Sequence, residues 1–362
     1  MKEDDAYRKL AEKWDYPDSS RFRKILEAIM TLEEANLLCE MPTPTPTEDL
    51  VKKVNMSQES LEKKLHELAC RGLVITGKKG HMAPASMGQL HDASLSSAEE
   101  HIPAGVYDLW RDFHDKEWEE DLIDILTRRS RTVEGLPSMR VLPAWKAIEA
   151  SPNIRPEQLL PYENMREILK GASKLAVVNC PCRRAQRECD SPLEVCLQLN
   201  RSADYSLGRG AATRELPLEE AITLMDSVGE AGLVHTVANC IFTHRIICNC
   251  CSCCCPLIGP LIHHGKPPRD GMAPSRFQAT ADKDTCTGCQ DCVEQCPFGV
   301  IEMSKFPSSK KLKAVVDTEQ CMGCGVCVLK CSTGALTMEL VRPVEYIPEE
   351  RVIPTAPMPK RQ

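Results

Sequence analysis

The sequence predicts an α+β chain built from successive modules, and three observations predict it. The first 90 of 362 residues carry capped, helically periodic apolar positions. A middle stretch, 162–270, alternates short apolar runs with one amphipathic helix and holds eleven of the 21 cysteines. Residues 271–341 repeat one cysteine spacing twice. Between these modules, 91–161 reads as a helix and a Pro-rich connector, and 342–362 reads as an extended tail.

Composition narrows the function classes. A net charge of -7 gives no general reason to expect a nucleic-acid binder. Aromatic residues make up only 4%, which is little for one large core. Met1-Lys-Glu-Asp-Asp leads into no apolar signal segment, and no run reaches membrane-spanning length. Many cysteines in a chain without a secretory signal point to thiolates kept reduced for metal. The expectation is a cytoplasmic, anaerobic setting with no membrane span.

In chain order, Arg21 to Met30 places Phe22, Ile25, Leu26 and Ile29 on one helical face. Thr31 and Glu34 form a capping-box pattern that starts a helix from Leu32 to Met41. Pro42, Pro44 and Pro46 make a stiff spacer. Thr47 is expected to cap Glu48–Val54, and Ser57 to cap Gln58–Cys70, which Gly72 ends. Leu73 to His81 reads as a strand and a turn. Helix, turn, helix and a basic hairpin resemble a winged helix. That resemblance implies either DNA binding or a protein contact. Lys63, Lys64 and Arg71 on the second helix stand among Glu59, Glu62 and Glu67, so sequence-specific DNA is not expected. Cys39 and Cys70 read as small buried apolar residues.

Gly88 to Glu100 reads as a loop. Val106 to Arg128 reads as a longer helix with Trp110, Phe113, Trp118, Leu122, Ile125 and Leu126 inward. Five prolines between Arg129 and Pro161 predict an irregular connector, and Tyr162 to Lys170 a short helix.

The middle module is read as α/β. Leu175–Asn179 is a buried-strand pattern that delivers Cys180 and Cys182. A loop with a short strand is expected over Tyr205–Glu215, a helix over Leu218–Ala231 and a strand over Leu233–Val237. Cys248-Asn-Cys250-Cys251-Ser-Cys253-Cys254-Cys255 follows. Thiolates this dense repel one another unless a cation or cluster neutralises them. One or two further iron-sulfur clusters are therefore expected, from among Cys180, Cys182, Cys189, Cys196, Cys248, Cys250, Cys251 and Cys254. A zinc site and plain buried thiols are the alternatives, and a noncubane cluster is conceivable. Arg183, Arg184 and Arg187 are expected to stabilise an anionic cluster, and His263 and His264 are either ligands or surface residues.

The C-terminal stretch reads Cys286-Thr-Gly-Cys289-Gln-Asp-Cys292-Val-Glu-Gln-Cys296-Pro297, then Cys321-Met-Gly-Cys324-Gly-Val-Cys327-Val-Leu-Lys-Cys331-Ser332. Each copy is C-x2-C-x2-C-x3-C, with Gly288, Gly323 and Gly325 allowing tight loops. Strand-like flanks surround both copies. Ser332 stands where the motif usually carries Pro, a position that shapes the chain and ligates nothing. The repeat resembles the bacterial-type ferredoxin family that holds two [4Fe-4S] cubes. The resemblance implies crossed ligation: Cys286, Cys289, Cys292 and Cys331 for one cube, and Cys321, Cys324, Cys327 and Cys296 for the other.

Taken with the N-C-P-C-R and I-C-N-C-C runs, the whole resembles a little-characterised family of anaerobe iron-sulfur proteins. It implies electron transfer, and the expected role is a ferredoxin-type subunit relaying single electrons to or within a larger oxidoreductase. A redox protein or the other oxidoreductase subunits are its expected partners. A redox-sensing winged-helix regulator and a reductase with its active site in the middle module are the competing readings. No Ser/His/Asp order and no dinucleotide fingerprint points to independent catalysis. The Lys305–Lys313 segment, with Lys310 and Lys311, is either a solvated loop or a docking patch for an acidic partner.

Overall fold

A computed structural model describes residues 5–129, 136–211, 214–242, 244–307 and 309–350. Mixed helix and sheet make it an α+β chain.

The N-terminal helices form where local chemistry asks for them. Ser19 accepts from Phe22 N and starts Ser20–Ile29. Thr31 and Glu34 make the reciprocal capping box of Leu32–Cys39, and Ser57 accepts from Ser60 N at Gln58–Cys70. Thr47 does not cap as expected: Pro46 holds that position, and the Thr47 hydroxyl meets His81 Nε2 at 3.2 Å. Gly72 turns the chain at φ 73°, with Ala93 O only 2.2 Å from where a Cβ would stand. A hairpin follows, β1 (Ile75–Gly77) against β2 (Gly80–Met82).

Two departures concern the next segment. Met87–Leu95, expected as a loop, is a helix capped by Ser86 and buries Met87, Leu90 and Leu95. The expected long helix runs over Val106–Phe113 and Glu119–Arg129 but contains a π-helical turn at His114–Trp118. The extra residue in that turn brings Trp118 onto Phe113, ring centroids 6.2 Å apart and 21° from parallel. Trp14, Tyr16, Phe22, Trp110, Phe113 and Trp118 make one aromatic core, so the few aromatics are concentrated rather than spread.

The middle module is a six-stranded sheet, ordered β3-β7-β8-β5-β4-β6, from Met139–Val141, Leu175–Asn179, Glu194–Leu199, Arg214–Glu215, Val234–Ala238 and Ile246–Cys250 in chain order. Every pairing is antiparallel, which departs from the expected α/β pattern. The helix between β4 and β5, Pro181–Gln186, has six residues and spans about 9 Å. It is too short to carry the chain back for a parallel restart. The expected connector contributes edge strand β3 and helix Trp145–Glu149, and Arg201–Gly208 is helical where the sequence predicts a loop from Tyr205 onward.

At the C-terminus β9 (Phe277–Ala281) pairs with β12 (Leu336–Leu340), and β10 (Ile301–Ser304) with β11 (Lys313–Val316). Each ribbon thus joins one repeat to the other. The tail residue Arg342 donates to Ser275 O at 2.6 Å and Phe277 O at 3.0 Å, so the start of the tail packs on its own chain. The expected tail beyond 350 lies outside the described residues.

Candidate metal centres

Both C-terminal repeats open alike. Cys286 N donates to Asp282 O and Cys321 N to Asp317 O, while each aspartate carboxylate accepts amides of the intervening turn. That aspartate, four residues before each first cysteine, is a signal the spacing argument passed over. Gly323 lies at φ 67°, and a Cβ there would sit 2.1 Å from Phe277 O. The loops then turn into the helices Asp291–Glu294 and Val326–Lys330.

The structure brings the eight thiols together as two sets of four. Cys286, Cys289, Cys292 and Cys331 line one cavity, and Cys296, Cys321, Cys324 and Cys327 line another. Backbone amides point at the sulfurs: Ala314 N reaches Cys286 Sγ at 3.5 Å and Ala279 N reaches Cys321 Sγ at 3.4 Å. Burial, then neighbouring sulfurs, pushes Cys292 up to about 11 and Cys327 well above the usual thiol range. Only a strongly cationic occupant favours ionised thiolates there. Four converging sulfurs with amide donors, twice over, fit a pair of [4Fe-4S] cubes. The first cavity carries the exposed Cys289; the second lies deeper, with Cys321, Cys324 and Cys327 buried.

A third group of thiols sits on one face of the middle sheet. Cys248 and Cys250 share a face of β8, two residues apart. Cys196 on β5 comes beside Cys248, and Cys255 beside Cys250. The register shifts between Val178 and Asn179 at the end of β4, just before Cys180 and Cys182, which are themselves side by side. The thiol-to-thiol contact and then burial raise Cys182, Cys248, Cys250 and Cys255. Cys250 and Cys255 share an apolar cluster with Cys324 of the second cavity, together with Val141, Val234 and Val326. His91 and Asp92, from the unforeseen helix, come within 4.8 Å of Cys182.

Cys189, Cys251, Cys253 and Cys254 form a fourth group, at the loops after Pro181–Gln186 and after β8. Cys253 was not among the expected ligands, because sequence spacing does not reveal how a turn aims neighbouring side chains. Of the three arginines expected beside the thiols, Arg183 alone faces them, with Cys180, Cys251 and Cys189 as its partners in charge. Arg184 turns to Leu95 O, Ser97 O and Glu99, and Arg187 pairs with Asp108. His263 and His264 both face Glu119 rather than sulfur. Cys39 and Cys70 are half-buried, beside Ala6 O and His66.

Residues 285–336 match the family model of the 4Fe-4S dicluster domain. The match supports a ferredoxin-like, iron-sulfur-binding domain at the C-terminal end of the chain. No curated protein matches the chain.

Proposed function

We propose that the chain is an iron-sulfur electron-transfer protein, a ferredoxin-type subunit that relays single electrons to or within a larger oxidoreductase. The observation that carries this reading is the pair of four-thiol cavities, the deeper of which shares a core with a third thiol group. A bound [4Fe-4S] cube supplies reversible one-electron chemistry. The crossed quartets hold the cubes, and the amides of Ala279 and Ala314 stabilise negative charge on sulfur. Cys180, Cys182, Cys196, Cys248, Cys250 and Cys255 hold a further iron-sulfur cluster. The exposed Cys289 is the outer approach. Lys313 lies against the start of the same loop, donating to Cys286 O, and Leu312 O lies 2.5 Å from where a Gly288 Cβ would stand. Lys310, Lys311 and Lys313 beside this loop support docking of an acidic redox partner. All 21 cysteines are free of disulfides, which supports a reducing, cytoplasmic and anaerobic setting. No helix among the described residues is long and apolar enough to cross a membrane.

Iron and acid-labile sulfide analysis tests the reading. About eight irons per chain are expected from the dicluster domain and about four or more from the buried middle thiols. A total of eight that Cys250→Ser leaves unchanged would remove the third cluster from the proposal.

The N-terminal winged-helix-like domain, 1–90, serves here as a protein-contact module. Lys64 pairs with Glu34 and Glu67, and Arg71 with Glu34, so two of the three cations on the expected recognition helix are engaged internally. Tyr205 donates to Val74 O, and buried Arg209 to Ser96 and Ser97 just beyond this domain, fastening it to the middle module. Sequence-specific DNA binding at physiological salt is accordingly not expected. Tight retention of a specific fragment, lost in Lys63→Glu/Lys64→Glu, would promote the regulator reading instead.

A further inference from the structure

The four thiols of Cys189, Cys251, Cys253 and Cys254 differ from the two ferredoxin quartets in one measurable way: they are closer together. Cys189 Sγ lies 3.8 Å from Cys251 Sγ and 4.0 Å from Cys254 Sγ, and Cys253 Sγ lies 3.7 Å from Cys254 Sγ. All four sulfurs fall within 4.8 Å of one another. No ferredoxin quartet forms so tight a group among the described residues.

Elementary geometry separates the possible occupants. Four sulfurs each about 2.3 Å from one central ion, at tetrahedral angles, stand about 3.8 Å apart. A cubane places four irons between its cysteines and spreads their sulfurs to roughly 6 Å or more. The spacings of 3.7, 3.8 and 4.0 Å match the first, and the 4.8 Å that bounds all four sulfurs falls short of the second. A disulfide is also excluded, since Cys253 and Cys254 sulfurs stand 3.7 Å apart and bonded sulfurs about 2 Å. A plain network of S–H contacts is a poor account, because a thiol is a weak donor with a single hydrogen.

We infer that Cys189, Cys251, Cys253 and Cys254 bind one tetrahedrally coordinated thiophilic metal ion, zinc or a single iron, rather than an iron-sulfur cluster. Four thiolates around a divalent ion leave a net charge of -2, and Arg183 lies alongside to offset part of it. The ligands come from two loops that are 62 residues apart in the chain at Cys189 and Cys251. One ion therefore closes the turn after β8 onto the turn before β5, beside the buried thiol group. Binding free energy at such a site is folding free energy for both loops. This site is independent of the clusters proposed above, and its loss leaves that reading standing.

The test begins with the unmodified full chain, purified without oxygen. Zinc K-edge absorption and 57Fe Mössbauer spectra are recorded on the same preparation. The expected result is about one zinc per chain with four sulfurs at about 2.3 Å, or one mononuclear high-spin tetrathiolate iron resolved from the cluster iron. The zinc edge and the Mössbauer spectrum tell these two ions apart. Absence of both species overturns the inference. Cys253→Ser and Cys189→Ser, at half-buried positions, then assign the site. Each should lose that one ion while the cluster spectra persist. Loss of about four irons from either variant identifies a cube and overturns the inference, as does full retention of the ion.

Discussion

Replacing Cys296 by serine is expected to damage the metal site of Cys321, Cys324 and Cys327 while sparing that of Cys286, Cys289 and Cys292. Cys296 is the last cysteine of the first motif, yet it lines the cavity of the second. Burial is its leading influence, countered by hydrogen bonds from the amides of Val300, Phe298 and Gly299. Those amides are arranged to stabilise a thiolate, a role serine fills poorly. About one to four irons per chain should be lost, with the change confined to one of the two EPR signals of the dicluster domain. Cys331→Ser is the mirror experiment. Cys331 lines the first cavity and lies beside Thr333, so its loss should alter the other signal. Damage by Cys296→Ser confined to the first site would show local ligation and sink the crossed arrangement. Crossing matters beyond ligation. β9 pairs with β12 and β10 with β11, so the backbone already joins the repeats, and crossed sulfurs reinforce the same junction.

The C-terminal architecture was legible because its information is local and repeated. Fixed cysteine spacing, glycines at tight turns and strand-like flanks all lie within a few residues of the atoms they position. The N-terminal caps at Thr31 and Ser57 were legible for the same reason, each satisfying amides three residues on. Thr47 shows the limit of that logic: the hydroxyl took a tertiary partner, His81, instead of its own helix. The antiparallel sheet was not legible, since β3 comes from a segment whose prolines argued for irregular chain. Its partner β7 lies almost a hundred residues further on, and register between distant strands leaves no local mark. The middle thiols were visible as a cluster but could not be sorted into groups. Cys254 and Cys255 are chain neighbours, yet Cys254 joins Cys189 and Cys251 while Cys255 joins Cys250. Only the turn after β8 decides which way each points.

The largest stability effect outside the thiols is expected at Arg276 and Glu163. Their side chains are 4% and 2% exposed, and Arg276 Nη1 meets Glu163 Oε1 at 2.7 Å. Arg276 Nε also donates to Arg342 O and Pro343 O, each at 3.1 Å, while Glu163 accepts from Leu160 N at 3.1 Å. The pair therefore joins the segment before helix Met165–Lys170, the start of β9 and the first residues of the tail. Arg276→Met strands a buried carboxylate and removes the donors to three carbonyls, those of Arg342, Pro343 and Gln158. Breaking a buried pair from one side costs about 3–5 kcal/mol. Glu163→Gln should cost less, because the amide oxygen still accepts from Leu160 N and Arg276 keeps its backbone partners. The double variant Arg276→Met/Glu163→Gln removes both charges and should recover much of the Arg276→Met loss. Denaturant midpoints at constant metal loading, followed by far-UV circular dichroism, measure all three. If the double variant is as unstable as the sum of its parts, the two groups are not coupled, and the buried pair is not what holds these three segments together.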